Sequence, residues 1–208
     1  MEELIKVMIV DDHMSIRNSL EREFCAENGF EVVSSIASAA FAEMECAARQ
    51  PALIIMDVCT EGQASGLEAA ESIVRNHPGV KVIVTSGFDE ITYASRAQDM
   101  GAHAFVEKNR SLGDYRETAR LVLAGGYSFP ESKIIPLPNG KAPFSKREME
   151  ILRLKCKQMR NAEIAAELVI SEKTVKRHIE NMLHKSGFDS SVELIIYVLS
   201  NGWINPNY

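Results

Sequence analysis

Apolar positions in the first half of the chain gather into short unbroken runs, and the stretches between them repeat with helical spacing. Leu4-Ile5-Lys6-Val7-Met8-Ile9-Val10, Ala52-Leu53-Ile54-Ile55-Met56, Lys81-Val82-Ile83-Val84-Thr85 and Ala104-Phe105-Val106-Glu107 are four such runs, and residues 30–36 make a fifth. Runs of this length between helical stretches predict buried strands of a parallel sheet. Helices are predicted at 15–27, where Ile16, Leu20 and Phe24 share a side, and at 38–49, 67–76, 89–100 and 114–124. Asn28-Gly29, Pro51, His77-Pro78-Gly79, Gly101 and Gly125-Gly126 stop them. Residues 1–126 therefore read as an α/β doubly wound, five-stranded parallel sheet with helices on both faces.

Periodicity lapses over 127–143, where Pro130, Pro136, Pro138, Pro143 and Asn139-Gly140 predict a linker, extended in places. Residues 144–208 read as a small all-α domain of four helices. Ser145-Lys146-Arg147-Glu148 has the capping-box spacing, and Ile151, Leu152 and Leu154 supply the buried side of the helix that follows. Asn161 is placed to cap a second helix over 162–168, and Ser171 a third running to about residue 186. The fourth, 191–201, carries Val192, Ile195, Ile196 and Leu199 as one apolar stripe, read as a core face that also serves in part as a dimer seam. Two short helices joined by a tight turn, with Lys and Arg on the second, form a helix-turn-helix pattern.

Composition narrows the setting. No apolar run approaches the roughly 20 residues of a membrane span, and Met1-Glu2-Glu3 has none of the character of a signal peptide. A cytoplasmic protein with no membrane partner is expected. Cys25, Cys46, Cys59 and Cys156 lack metal or redox spacing, so reduced thiols are expected. The net charge of −6 is uneven: residues 1–140 carry 12 Lys/Arg against 21 Asp/Glu, and residues 141–208 carry 11 against 8. Only the second, mildly basic part suits a polyanion.

Ligands of such sheets bind outside the carboxyl ends of the strands. Here the strands end at Asp11-Asp12, Asp57, Ser86 and Lys108. A polar residue in solvent ends many strands, but these four positions together can hold a divalent metal and a phosphoryl group. Asp57 is the candidate phosphoryl acceptor, and Asp11 and Asp12 are candidate Mg²⁺ ligands, directly or through water. Lys108 would offset the developing charge from the other side, and the Ser86 hydroxyl would donate to a phosphoryl oxygen.

With these residues in place, the first half resembles a response-regulator receiver domain of flavodoxin-like fold. Residues 163–178, Glu163-Ile164-Ala165-Ala166-Glu167-Leu168-Val169-Ile170-Ser171-Glu172-Lys173-Thr174-Val175-Lys176-Arg177-His178, follow the LuxR-type signature E-I-A-x-x-L-x-[IL]-S-x-x-T-V-K-x-H. Together the halves resemble the NarL/FixJ class of two-component response regulators. The resemblance implies phosphoryl transfer to Asp57 from a sensor histidine kinase and a Mg²⁺ site completed by Asp57 and the Cys59 carbonyl. It also implies a switch aromatic at Phe105 that turns inward on phosphorylation, homodimerisation, and regulated binding of promoter DNA. Ser171, Lys173, Thr174, Lys176, Arg177 and Lys185 are the implied DNA contacts, through phosphates and guanine edges. Val58-Cys59-Thr60-Glu61 departs from the family's usual Met-Pro turn, and Asn109 replaces a proline after the lysine. Glu180 and Ser191 stand where basic residues are common, and Gln158 replaces a glycine. These changes predict weak DNA binding by the isolated helical domain, rescued by dimerisation. An aspartyl-phosphate enzyme is an alternative, although its D-x-D pattern would need an acid at Cys59. Another is a receiver that signals through protein contacts alone.

Overall fold

The apolar runs form β1 (Ile5–Val10), β2 (Phe30–Ile36), β3 (Leu53–Asp57), β4 (Lys81–Ser86) and β5 (Ala104–Glu107). All pair in parallel, in the order β2-β1-β3-β4-β5. The structure is a computed structural model that describes residues 3–87, 93–130, 137 and 144–205. Helices α1 (Met14–Glu23), α2 (Ala42–Arg49), α3 (Gly66–Asn76) and α4 (Tyr93–Asp99) fill the crossovers, and α5 (Leu112–Leu123) follows β5.

Alternation along each strand builds two cores. Met8, Val10, Ile54, Met56, Val82, Val84 and Phe105 point to the side covered by α2, α3 and α4. Val7, Ile9, Leu53, Ile55, Ile83 and Val106 point to the side covered by Leu20 and Phe24 of α1 and Tyr115 of α5. Strands buried on both faces must be apolar throughout, which is why they read as runs rather than alternations.

Boundaries move where caps decide them. α1 ends at Glu23 and a separate 3₁₀ turn covers Ala26–Asn28, so the predicted helix 15–27 is two pieces. α5 starts two residues earlier than predicted because Ser111 and Asp114 cap each other, at 3.2 and 3.0 Å. The predicted helix 89–100 is present as α4 from Tyr93, and its earlier residues lie outside the described residues.

The predicted linker does not begin at Tyr127. The Phe105 N–H donates to the Ser128 carbonyl (2.9 Å), and the Ser128 N–H donates to the His103 carbonyl (3.1 Å). Ser128 thus bridges Ala104 as a one-residue parallel extension of the sheet beyond β5. Tyr127 stacks on His103 with centroids 5.6 Å apart, and Phe129 packs on the core that holds Phe105. An edge strand left open would have drawn solvent or another chain to these backbone groups. Leu137, also inside the predicted linker, is buried in the core of the helical unit. The rest of that predicted linker lies outside the described residues.

The helical unit comprises α6 (Lys146–Cys156), α7 (Asn161–Glu167), α8 (Glu172–Ser186) and α9 (Ser191–Ser200). Ile151, Leu152, Ile164, Val175, Leu194 and Trp203 meet in its core. The predicted box at Ser145 and Glu148 forms, and Ser171 caps α8 by accepting from the Thr174 N–H at 3.1 Å. Asn161 does not cap α7: it is the first helical residue, and Glu163 instead accepts from the Arg160 N–H at 2.7 Å. Of the predicted stripe on α9, Ile195 and Leu199 pack against the core, while Val192 and Ile196 are 62% and 59% exposed. The fully buried residues of this helix are Leu194 and Val198, outside the predicted stripe, so the core lies to one side of it.

In the helical unit, two described residues take left-handed backbone where glycine would fit more easily: Gln158 (φ 63°) between α6 and α7, and Val169 (φ 53°) in the turn between α7 and α8. A β-branched side chain at such a φ crowds the following carbonyl, and Val169 is 88% exposed, with little packing to compensate. Val169→Asn should raise the stability of the helical unit by about 1 kcal/mol. Urea unfolding followed by Trp203, the chain's one tryptophan, reports that unit and should show a higher midpoint with an unchanged slope.

Candidate functional site

The strand order reverses between β1 and β3, and an open parallel sheet binds its ligands at such a reversal. Asp11 follows β1 and Asp57 ends β3, both 1% exposed. Lys108 leaves β5 and reaches past β4 to them. Its ammonium lies 2.8 Å from Asp57 Oδ2 and 2.7 Å from Asp11 Oδ2. The Lys108 N–H donates to the Ser86 carbonyl at 2.9 Å, which sets the start of that reach. Ser86 itself is buried at the end of β4. The structure thus brings Asp11, Asp12, Asp57, Ser86 and Lys108 to one end of the sheet.

Burial raises the Asp57 carboxyl to about 7, with Lys108 pulling it down and Asp11 pushing it up. Lys108 loses hydration too, yet its ammonium is held above the usual lysine range by Asp57 and Asp11. Two buried carboxylates thus share one ammonium with Asp12 close beside them, an excess of negative charge that a divalent cation would relieve. The donor set is hard and oxygen-rich, which fits Mg²⁺. Cys59 is buried and its thiol is pushed up to about 12, first by burial and then by the charge of Asp57. Burial and that rise both disfavour the reactive thiolate form, as expected of a small buried filler.

Several residues that hold this geometry were not evident from strand ends. Arg17 of α1 donates to the carbonyls of Asp11 (2.6 Å) and Asp12 (3.1 Å), fixing the turn that aims both acids. Thr85 and Tyr115 share a hydrogen bond at 2.7 Å, tying β4 to α5 beside Ser86. Gly66 opens α3 with its N–H on the Val58 carbonyl at 2.9 Å, and a Cβ there would lie 1.7 Å from the Asp57 carbonyl oxygen. Its sequence signal was a glycine just before a helix, which by itself marks only a turn. Phe105 is buried at 8% exposure, so the aromatic already lies inward.

In the helical unit, Ser171, Lys173, Thr174, Lys176 and Arg177 line one depression of about 430 Å³ together with Glu180. All of them sit at the N-terminal end and outer face of α8. Lys185 does not join this surface. Twelve residues after Lys173, a helix has turned about 120° from its starting face. The Lys185 ammonium sits instead 2.7 Å from Glu148, a 3%-exposed carboxylate that also accepts from the Ser145 N–H. That pair joins α6 to the last turn of α8. Arg147 donates to the Leu168 carbonyl at 2.8 Å, tying α6 to the end of α7. Ala165 is buried where α7 meets its neighbours, whereas Ala166 is exposed.

Comparison with known proteins agrees with this geometry. Residues 7–120 match the response regulator receiver domain, and residues 142–198 match the bacterial regulatory proteins of the luxR family. The chain is a two-component response regulator of the LuxR type. The regulator is 31% identical over 207 residues to the response regulator protein VraR of Staphylococcus aureus strain Mu3, spanning 96% of this chain and 99% of that one. VraR of Staphylococcus epidermidis strain RP62A is 30% identical over the same span. Among solved structures it is similar to the Salmonella typhimurium RcsB response regulator, with TM-score 0.60 and 21% identity over 95% of this chain and 99% of that one. A structure of two RcsB dimers bound to two parallel DNAs gives TM-score 0.63 at 21% identity, over 95% and 98%. Relatives of this kind are transcriptional regulators, so the aspartyl-phosphatase alternative does not apply. No helix among the described residues is long and apolar enough to cross a membrane.

Gly66→Ala should cost about 3 kcal/mol or more, because backbone rather than a movable side chain stands in the way. Calorimetric melting of the full chain should show the loss in the receiver transition, with the Trp203-reported unit unchanged.

Proposed function

We propose that this regulator accepts a phosphoryl group on Asp57 from a sensor histidine kinase in the cytoplasm and changes its dimerisation and promoter binding in response. The observation that carries this is the Lys108 ammonium held between buried Asp57 and Asp11 at the reversal of strand order. A bond forms between an Asp57 carboxylate oxygen and phosphorus as the bond from phosphorus to the kinase imidazole breaks. Asp11, Asp12, Asp57 and the Cys59 carbonyl would hold Mg²⁺, which when bound neutralises charge on the transferring group. Lys108 is already within hydrogen-bond reach of the acceptor and needs little reorganisation to stabilise the product. Ser86, on the neighbouring strand end, supplies the hydroxyl that engages the acyl phosphate.

Phe105 and Lys108 leave the same short strand, so a shift of one is felt by the other. The inward Phe105 matches the arrangement expected once Asp57 is phosphorylated. Phosphorylation would stabilise that arrangement by contacts made in only one of two states. DNA contacts are assigned to Ser171, Lys173, Thr174, Lys176 and Arg177, with Glu180 in their midst disfavouring phosphate and suited to a cytosine N4. Val192 and Ile196, exposed one turn apart on α9, supply an apolar surface for a second copy.

Intact-mass measurement after incubation with a small phosphodonor and Mg²⁺ should show one phosphoryl adduct, absent from Asp57→Asn and from metal-free samples. An adduct that persists in Asp57→Asn would assign the acceptor elsewhere. On a DNA fragment selected by the phosphorylated protein, Lys176→Ala should weaken binding and lower the salt slope by about 1. Unchanged affinity would remove α8 from the DNA interface.

A further inference from the structure

The segment after α5 is seated on the residue expected to switch. Gly125 takes left-handed backbone (φ 90°), and a Cβ on Gly126 would lie 2.6 Å from the Leu121 side chain, so the chain turns at a two-glycine hinge. Beyond the hinge, the Ser128 carbonyl accepts from the Phe105 N–H at 2.9 Å and Tyr127 stacks on His103. Phe129 is half-buried against the core that contains Phe105. Pro130 lacks the N–H that a further rung would need, so the pairing stops there. Few contacts hold this segment, and most of them fall on Phe105 or on residues beside it.

On the outer side of β5, Phe105, Ser128, Phe129 and Pro130 border one depression of about 340 Å³, with Asp114 and Thr118 of α5 across from them. With Phe105 inward the depression is open, and Tyr127–Pro130 is seated at its rim. A phenyl ring turned outward would enter that space and press on Phe129 and Pro130. We infer that Tyr127–Pro130 is a strap that seats when Phe105 is inward and lifts when it is outward, so that phosphorylation draws in the chain leading to the helical unit. This rests on the phosphoryl switch proposed above and extends it past α5. Leu137, the next described residue, is buried in the core of the helical unit. Lifting the strap back to the glycine hinge frees four more residues between the two anchors, roughly 14 Å of extended chain. A longer tether lowers the effective concentration of one unit at the other.

Hydrogen exchange of the full-length protein, read by mass spectrometry with and without a small phosphodonor and Mg²⁺, tests this. In samples whose intact mass carries the phosphoryl adduct, peptides containing Phe105 and Ser128 should exchange at least about fivefold more slowly. Peptides from β2, at the other edge of the sheet, should change little. An adduct with unchanged or faster exchange at Ser128 overturns the strap and leaves the phosphoryl switch standing. Failure of the parent to form the adduct overturns both. Phe105→Leu keeps an apolar side chain but removes the ring, and in its phosphorylated form the Ser128 response should disappear. A response of parental size in that variant overturns the coupling through Phe105.

Discussion

One ammonium shared by two buried carboxylates organises the receiver half of this regulator. Asp11 and Asp57 sit on adjacent strands with almost no water, and Lys108 stands 2.7 and 2.8 Å from them. Removing the ammonium would leave two buried carboxylates uncompensated, a loss of several kcal/mol in a buried setting. The fold is arranged around keeping the three together. The order β2-β1-β3-β4-β5 makes the two acids neighbours and leaves the lysine two strands from Asp57, so its extended stem must cross the end of β4. Arg17 fixes the acid turn, and Gly66 lets α3 close against the Asp57 backbone. The charge imbalance that remains is the reason the site suits a cation.

The helical half uses the same device for a different end. Glu148 caps α6 and receives Lys185 from α8, so one carboxylate joins the start of α6 to the last turn of α8. Burial favours the uncharged acid, but Lys185 and Ser145 together hold the Glu148 carboxyl below its ordinary range. A lysine taken from the outer face in this way costs the surface a positive charge while fixing where α8 points.

Much of this was readable from the chain because strands buried on both faces leave no choice but apolar runs, and their ends are where chemistry gathers. Asp11, Asp12, Asp57, Ser86 and Lys108 were legible for that reason, as were the caps at Ser145 and Ser171. What escaped depends on partners far away in sequence. Lys185 looks like any basic residue of a DNA-binding helix until Glu148 is placed beside it. Val192 and Ile196 look like core because helical spacing gives the width of an apolar stripe, not the direction the core lies in. Tyr127 to Pro130 and Leu137 were hidden by prolines, which report backbone stiffness and say nothing of an apolar side chain docking nearby. Gly66 needed the strand end it touches, and Asn161 lost its cap to the Arg160–Glu163 pair.

The docking of Ser128 beside Ala104 bears on how copies of this regulator can meet. In a sheet ordered β2-β1-β3-β4-β5, the outer side of β5 is where a strand from another chain would add most easily. Here the Phe105 N–H and the His103 carbonyl are already taken by Ser128, and Tyr127 lies flat on His103. The start of that edge is covered by the chain's own backbone. A strand from another copy would have to displace Ser128 and Tyr127 before it could begin a ladder of backbone hydrogen bonds there, which disfavours the continuous pairing that locks copies into fibres.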